Sequence, residues 1–256
     1  MCSDGIILRL VTSVSFMRLL SRDRSASDPE YSDGSPFYEI ISREMGVTAG
    51  VSALLMSVTI ILMLLVSQTP LATLGLGLYN IFPLLGVFVF GILISVGRHF
   101  GMKGLVGEDM TVALFGIALS IFGYGWFGGS ILSQYDAGIY VPAILITGGI
   151  TMAITIGAAV LVFGTGYGFM WAGKASGISF LLGLGVILVG SFVLEVLLVI
   201  GFFLFLLGFL FDLVFEIYLT SENKRTPVAN GLGVYIAFAG VFVHILQLVL
   251  RSLARD

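Results

Sequence analysis

The stretch ISFLLGLGVILVGSFVLEVLLVIGFFLFLLGFLFDLVFEIYL, Ile178 to Leu219, decides the fold. Over 42 residues it is interrupted by ionisable side chains only at Glu195, Asp212 and Glu216. One helix of that length would measure about 63 Å at 1.5 Å per residue, twice the roughly 30 Å hydrocarbon core of a bilayer. The chain must therefore fold back. A turn near Glu195 divides it into two spans, Ser176 to Leu194 and Leu197 to Leu219.

Outward from this pair the same pattern repeats. Apolar runs close to the roughly twenty residues needed to cross a membrane predict further spans at Val47 to Ser67, Leu74 to Val96, Met110 to Ser130, Tyr140 to Phe163 and Gly231 to Leu253. The expected fold is all-α, a polytopic membrane protein with a seven-transmembrane-helix bundle over residues 47–256. Composition agrees: 58% of the residues are apolar, and twelve basic and fifteen acidic residues are too few to cover a soluble globule of 256 residues.

Residues 1–46 read differently. They include SRDRSASDPEYSDGSPF, Ser21 to Phe37, too polar to bury, so a partly disordered tail is expected there. Before it, Gly5 to Leu20 is apolar but broken by Arg9 and Arg18, which suits a surface helix rather than a span.

Basic residues test the count independently, because short cytoplasmic loops retain Lys and Arg. Seven spans place Arg9, Arg18, Arg22, Arg24, Arg43, Arg98, Lys103, Lys174, Lys224 and Arg225 on one side and leave only Arg251 and Arg255 on the other. The expectation is a cell-membrane protein with its N-terminus in the cytoplasm and its C-terminus outside. With a net charge of −3 and scattered basic residues, nothing points to nucleic acid. The single Cys2 excludes an internal disulfide and a thiolate metal cluster.

An ionisable group in hydrocarbon costs at least about 2.5 kcal/mol, so each one there is a functional candidate. Asp212 and Glu216 lie four apart and share a helix face; His244 and Gln247 lie three apart on the last span and share another. The connection TSENKRTPVAN, Thr220 to Asn230, is short enough for a hairpin that could bring both faces together. These four form a candidate ion-pathway or pH-sensing cluster. The competing reading has Glu216 snorkelling to the interface and His244 making one structural hydrogen bond. Glu195 is expected to be solvated in a turn.

Other patterns carry less. GTGYG, Gly164 to Gly168, lacks the flanking features of a potassium filter and the strand and lysine of a phosphate cradle. The pairs Gly125/Gly129 and Gly173/Gly177 have the spacing of close helix contacts. There is no GxSG sequence, Asp212 has no intramembrane Asp partner, and His99 is expected beside Arg98 in a loop, so neither an enzyme, a metal site nor a cofactor is expected.

The last two spans resemble the transmembrane Bax inhibitor motif family, the Bax inhibitor-1 and YccA-like proteins. That family ends with a helix bearing a Tyr-Asp pair, a short loop, and a helix with an Asp followed three residues on by Asn. Here VFVHILQLVLRSL, Val241 to Leu253, places Gln247 at the Asn and His244 at the Asp; the upstream pair is matched by Phe211-Asp212 or by Phe215-Glu216. The resemblance implies a central helix surrounded by the others and a leak for calcium or protons under a paired-carboxylate pH sensor. His244 would convert a shared-proton pair into an ion pair, and would make a poor ligand for calcium. The resemblance equally allows a non-conducting protein that binds and modulates membrane proteases or other membrane partners.

Overall fold

The computed structural model describes residues 43–255 except 82 and 223. Of the tail expected over residues 1–46, residues 43–46 belong to the first helix; the rest, with the Gly5 to Leu20 helix, lies outside the described residues. Eight α-helices follow in order: α1 (Arg43–Ser67), α2 (Pro70–Ile81), α3 (Pro83–Val106), α4 (Met110–Leu132), α5 (Tyr140–Thr165), α6 (Met170–Gly190), α7 (Glu195–Ser221) and α8 (Pro227–Leu253). A 3-10 turn, Ala137–Ile139, leads into α5, and there is no strand among the described residues. Seven apolar segments of 21 to 29 residues, on every helix but α2, are long enough to cross a bilayer. This is an all-α, multi-pass membrane protein, and side chains such as Leu54, Leu114, Leu145 and Leu181 present their exposed apolar surface to lipid.

The fold-back falls where the sequence requires it. The turn between α6 and α7 is Ser191–Leu194, and Glu195 is the first residue of α7. The second span is a correction. Instead of one helix over Leu74 to Val96, the chain forms α2, about 18 Å long and too short to cross, and then α3, which crosses further along the sequence. Two prolines set the break, since Pro70 and Pro83 each open a helix, where the fixed φ is suitable and the missing N–H costs nothing. The indole Nε1 of Trp126 on α4 donates to the Leu71 carbonyl at 2.8 Å, which fastens α2 to the bundle. One consequence concerns the basic residues. Arg98 and His99, expected in a loop, ride on α3, with Arg98 about 12 Å from its end at Val106.

Helix α8 occupies the centre. In its most apolar window 72% of the residues are buried, against 17% to 33% in the other six spans. It touches α1, α3, α4, α5 and α7, and small residues make that possible: a side chain at Gly231 would run into Val51 of α1, and one at Gly240 into the ring of Phe209 on α7. One core, with Met63, Tyr124, Tyr235 and Phe242, lies on the α1, α3 and α4 side; the other, with Val162, Phe169, Leu213 and Val241, lies on the α5 to α7 side. Hydrogen bonds stitch α8 in place. Tyr124 Oη donates to the Ile236 carbonyl at 2.7 Å, Tyr235 Oη and Thr59 Oγ1 are 2.7 Å apart, and Ser52 Oγ donates to the Gly231 carbonyl at 2.8 Å.

Of the glycine pairs, Gly125 and Gly129 pack against Leu62, Met63 and Val66 of α1, whereas Gly173 meets Phe215 and Gly177 faces open space. The closest approach lies elsewhere, between α3 and α4, where Gly101 and Gly116 bring two backbones together.

Candidate functional site

Asp212 and Glu216 sit one turn apart on the same face of α7, as their spacing requires. Arg98 reaches them from α3. Its Nη1 donates to Asp212 Oδ2 at 2.7 Å and its Nη2 to Glu216 Oε1, so one planar guanidinium spans both carboxylates. The other oxygen, Glu216 Oε2, accepts from Nη1 of Arg225 at 2.8 Å. Arg225 lies in the connection between α7 and α8, where Thr226 caps α8 by accepting from the Ala229 amide at 3.3 Å. Two carboxylates and two guanidiniums thus balance in charge.

Glu216 is 0% exposed, and the Arg98 and Arg225 side chains are 30% and 27% exposed. A side chain at position 233 would collide with the Glu216 carboxylate, so Gly233 of α8 lets that group approach the central helix. Burying these charges is tolerable only because each has a partner, and removing one partner from such a set typically costs about 3–5 kcal/mol.

His244 is placed differently. It is 7% exposed, its Nδ1 donates to the Gly240 carbonyl one turn back at 2.8 Å, and its ring lies between Phe202 and Phe209 with centroids at 5.0 and 5.3 Å. Asp212 pairs with Arg98, and the expected carboxylate and imidazole pair is not formed. Helical rise explains the separation. His244 is seventeen residues into α8 and Asp212 nine residues back from the end of α7, so their levels differ by about 12 Å.

The two levels are joined by a crevice of about 760 Å³ between α3, α6, α7 and α8. Arg98 and Asp212 line one end, His244 lies along it, and Gln247 and Arg251 line the other; the walls between are aliphatic and aromatic, including Phe90, Phe180 and Phe205. It exists because α3 and α6 barely touch. From the Arg251 end, a polar solute would pass Gln247 and His244 before it meets the Arg98 and Asp212 pair; Glu216 and Arg225 continue the cluster toward the α7–α8 connection.

Among the described residues no three His, Cys, Asp or Glu side chains converge in a way that could hold a metal. His99 is exposed on α3, with its ring edge to Phe100. Sequence reasoning found both carboxylates but missed Arg98 and Arg225, the residues that hold them. Pro83 was the available signal, because a helix started there carries Arg98 into the membrane. No family model matches the chain, and no curated protein or solved structure matches it either.

Proposed function

We propose that this chain is a pH-sensitive leak for calcium or protons, of the Bax inhibitor-1 type, in the cell membrane, with its N-terminus in the cytoplasm and its C-terminus outside. The observation that carries the reading is the crevice ending on the Arg98 and Asp212 pair. A permeant cation entering there meets a carboxylate already neutralised by arginine, so the resting state is closed. Protonating Glu216, the fully buried carboxylate, removes one of the two anions that hold Arg98, loosens α3 from α7 and opens the way past the pair. Arg98 and Arg225 are the charged groups facing these carboxylates, and the Tyr124 phenol on α4 lies within electrostatic reach of Arg98 and Asp212. The central α8 and the seven spans accord with the family's architecture, while the gate's chemistry departs from it in using arginine where His244 was expected to serve.

Flux through purified protein in liposomes tests this. Calcium or proton flux should rise as pH falls between about pH 8 and pH 6, the range in which a physiological switch must work. Glu216→Gln, which mimics the protonated carboxyl, should conduct at the higher pH and lose the pH response. Absence of flux of either ion across that range would sink the channel and leave the binding and modulation of membrane partners as the better reading.

A further inference from the structure

We propose that the crevice between α3, α6 and α7 is a lipid site, holding one acyl chain of an anionic phospholipid whose phosphate rests on Arg251. The inference concerns the closed state, in which the crevice carries no ion; it rests on the crevice alone and does not require the chain to conduct.

A space of about 760 Å³ with mainly aliphatic and aromatic walls is poorly suited to water, which needs two to four polar partners at each position. Its rim faces the hydrocarbon. Phe88 and Ile92 on α3, Leu181 on α6, and Val199 and Phe203 on α7 are all exposed lining residues on membrane-crossing helices. A lipid tail is therefore the apolar group at hand. From Arg251 to Ile236 the crevice follows fifteen residues of α8, about 22 Å, and a chain from one leaflet needs about 15 Å, half the hydrocarbon thickness. The tail passes His244 and stops short of the Arg98 and Asp212 pair.

The head end has matching chemistry. Arg251 is two residues from the end of α8, at the level where a 27-residue helix leaves the hydrocarbon, and it is exposed. Among the described residues no carboxylate pairs with it, so its fork of donors is open to phosphate. Gln247, one turn below and lining the same crevice, offers an amide to the glycerol esters.

Native mass spectrometry of detergent-purified protein, mixed with equal amounts of phosphatidylglycerol and phosphatidylcholine of the same chain length, reads the site directly. Wild type should retain one phosphatidylglycerol about fivefold over phosphatidylcholine, the preference that one arginine near a charged headgroup provides. Arg251→Gln should bring the ratio to about one. Gly91→Leu should reduce retention of both lipids, because Gly91 lines the crevice and a Cβ there meets nothing within 4 Å, so the added side chain enters the space without disturbing the fold. Arg255→Gln, outside the crevice, should leave the preference intact. Equal retention of the two lipids by wild type, a preference that survives Arg251→Gln, undiminished retention in Gly91→Leu, or a preference lost in Arg255→Gln would each overturn the site.

Discussion

Glu216 and His244 are buried on neighbouring helices of one hairpin, at 0% and 7% exposure, yet the protein treats them in opposite ways. Glu216 is held by two charged partners from elsewhere in the chain: Arg98 more than a hundred residues away, and Arg225 in the connection. His244 takes its hydrogen bond from its own helix and is packed between two phenylalanines. A carboxylate brought into a membrane interior must be met by a cation, and this imposes a tertiary constraint. An imidazole can enter neutral, and a carbonyl one turn away satisfies it. The ionic level of the hairpin therefore ties α3 to α7, while the aromatic level supplies packing.

The largest effect expected from this contrast comes from Arg98. Arg98→Met strands one buried carboxylate and half-strands another, so reversible unfolding in detergent should show a loss of about 3–5 kcal/mol. Adding Asp212→Asn removes the carboxylate left without any partner, and the double variant should recover at least half of the loss. If Arg98→Met costs under about 1 kcal/mol, water reaches the cluster and the two levels differ less than the geometry implies.

Arg225→Gln should cost less, about 1.5–3 kcal/mol, the usual range for one charged hydrogen bond, because Glu216 keeps Arg98. Its effect should also be local. Hydrogen exchange should quicken in the connection, Glu222 to Thr226, and at the adjoining end of α7, with α3 unchanged. Equal losses for Arg225→Gln and Arg98→Met would mean that the connection and α3 carry the carboxylates equally.

The sequence made much of this legible where physics is local. Hydropathy and span length located the fold-back to within a few residues, near Glu195 against an actual turn at Ser191–Leu194, and the start of α4 at Met110, because the cost of exposed backbone in lipid leaves only helices of a fixed length. The same reasoning failed between Leu71 and Val96, where apolar character is continuous and only Pro70 and Pro83 mark the break. Arg98 was lost with that span: placing a charge in a loop is the sound default, and its compensation by α7 is a non-local fact that no window of sequence contains. His244 failed for another reason. Its helix face was read, but its depth was not, although counting residues from the α7–α8 connection would have placed it about 12 Å from Asp212.

The smallest effect should fall on His244. In His244→Phe the new ring occupies nearly the same volume between Phe202 and Phe209, and the Gly240 carbonyl keeps its place in the helix ladder. The loss is one hydrogen bond, worth about 0.5–1.5 kcal/mol, partly offset by a more apolar ring in an apolar site, so stability should change by no more than about 1 kcal/mol. Because the imidazole is not a partner of either carboxylate, the midpoint of any pH-dependent flux should stay where it is in wild type, while Glu216→Gln abolishes the response. The reverse pattern, with His244→Phe shifting the midpoint and Glu216→Gln leaving it unchanged, would invert the comparison. The aromatic level would then be the sensor and the ionic level the scaffold, and the gate would have to be sought along the crevice where His244 lines it.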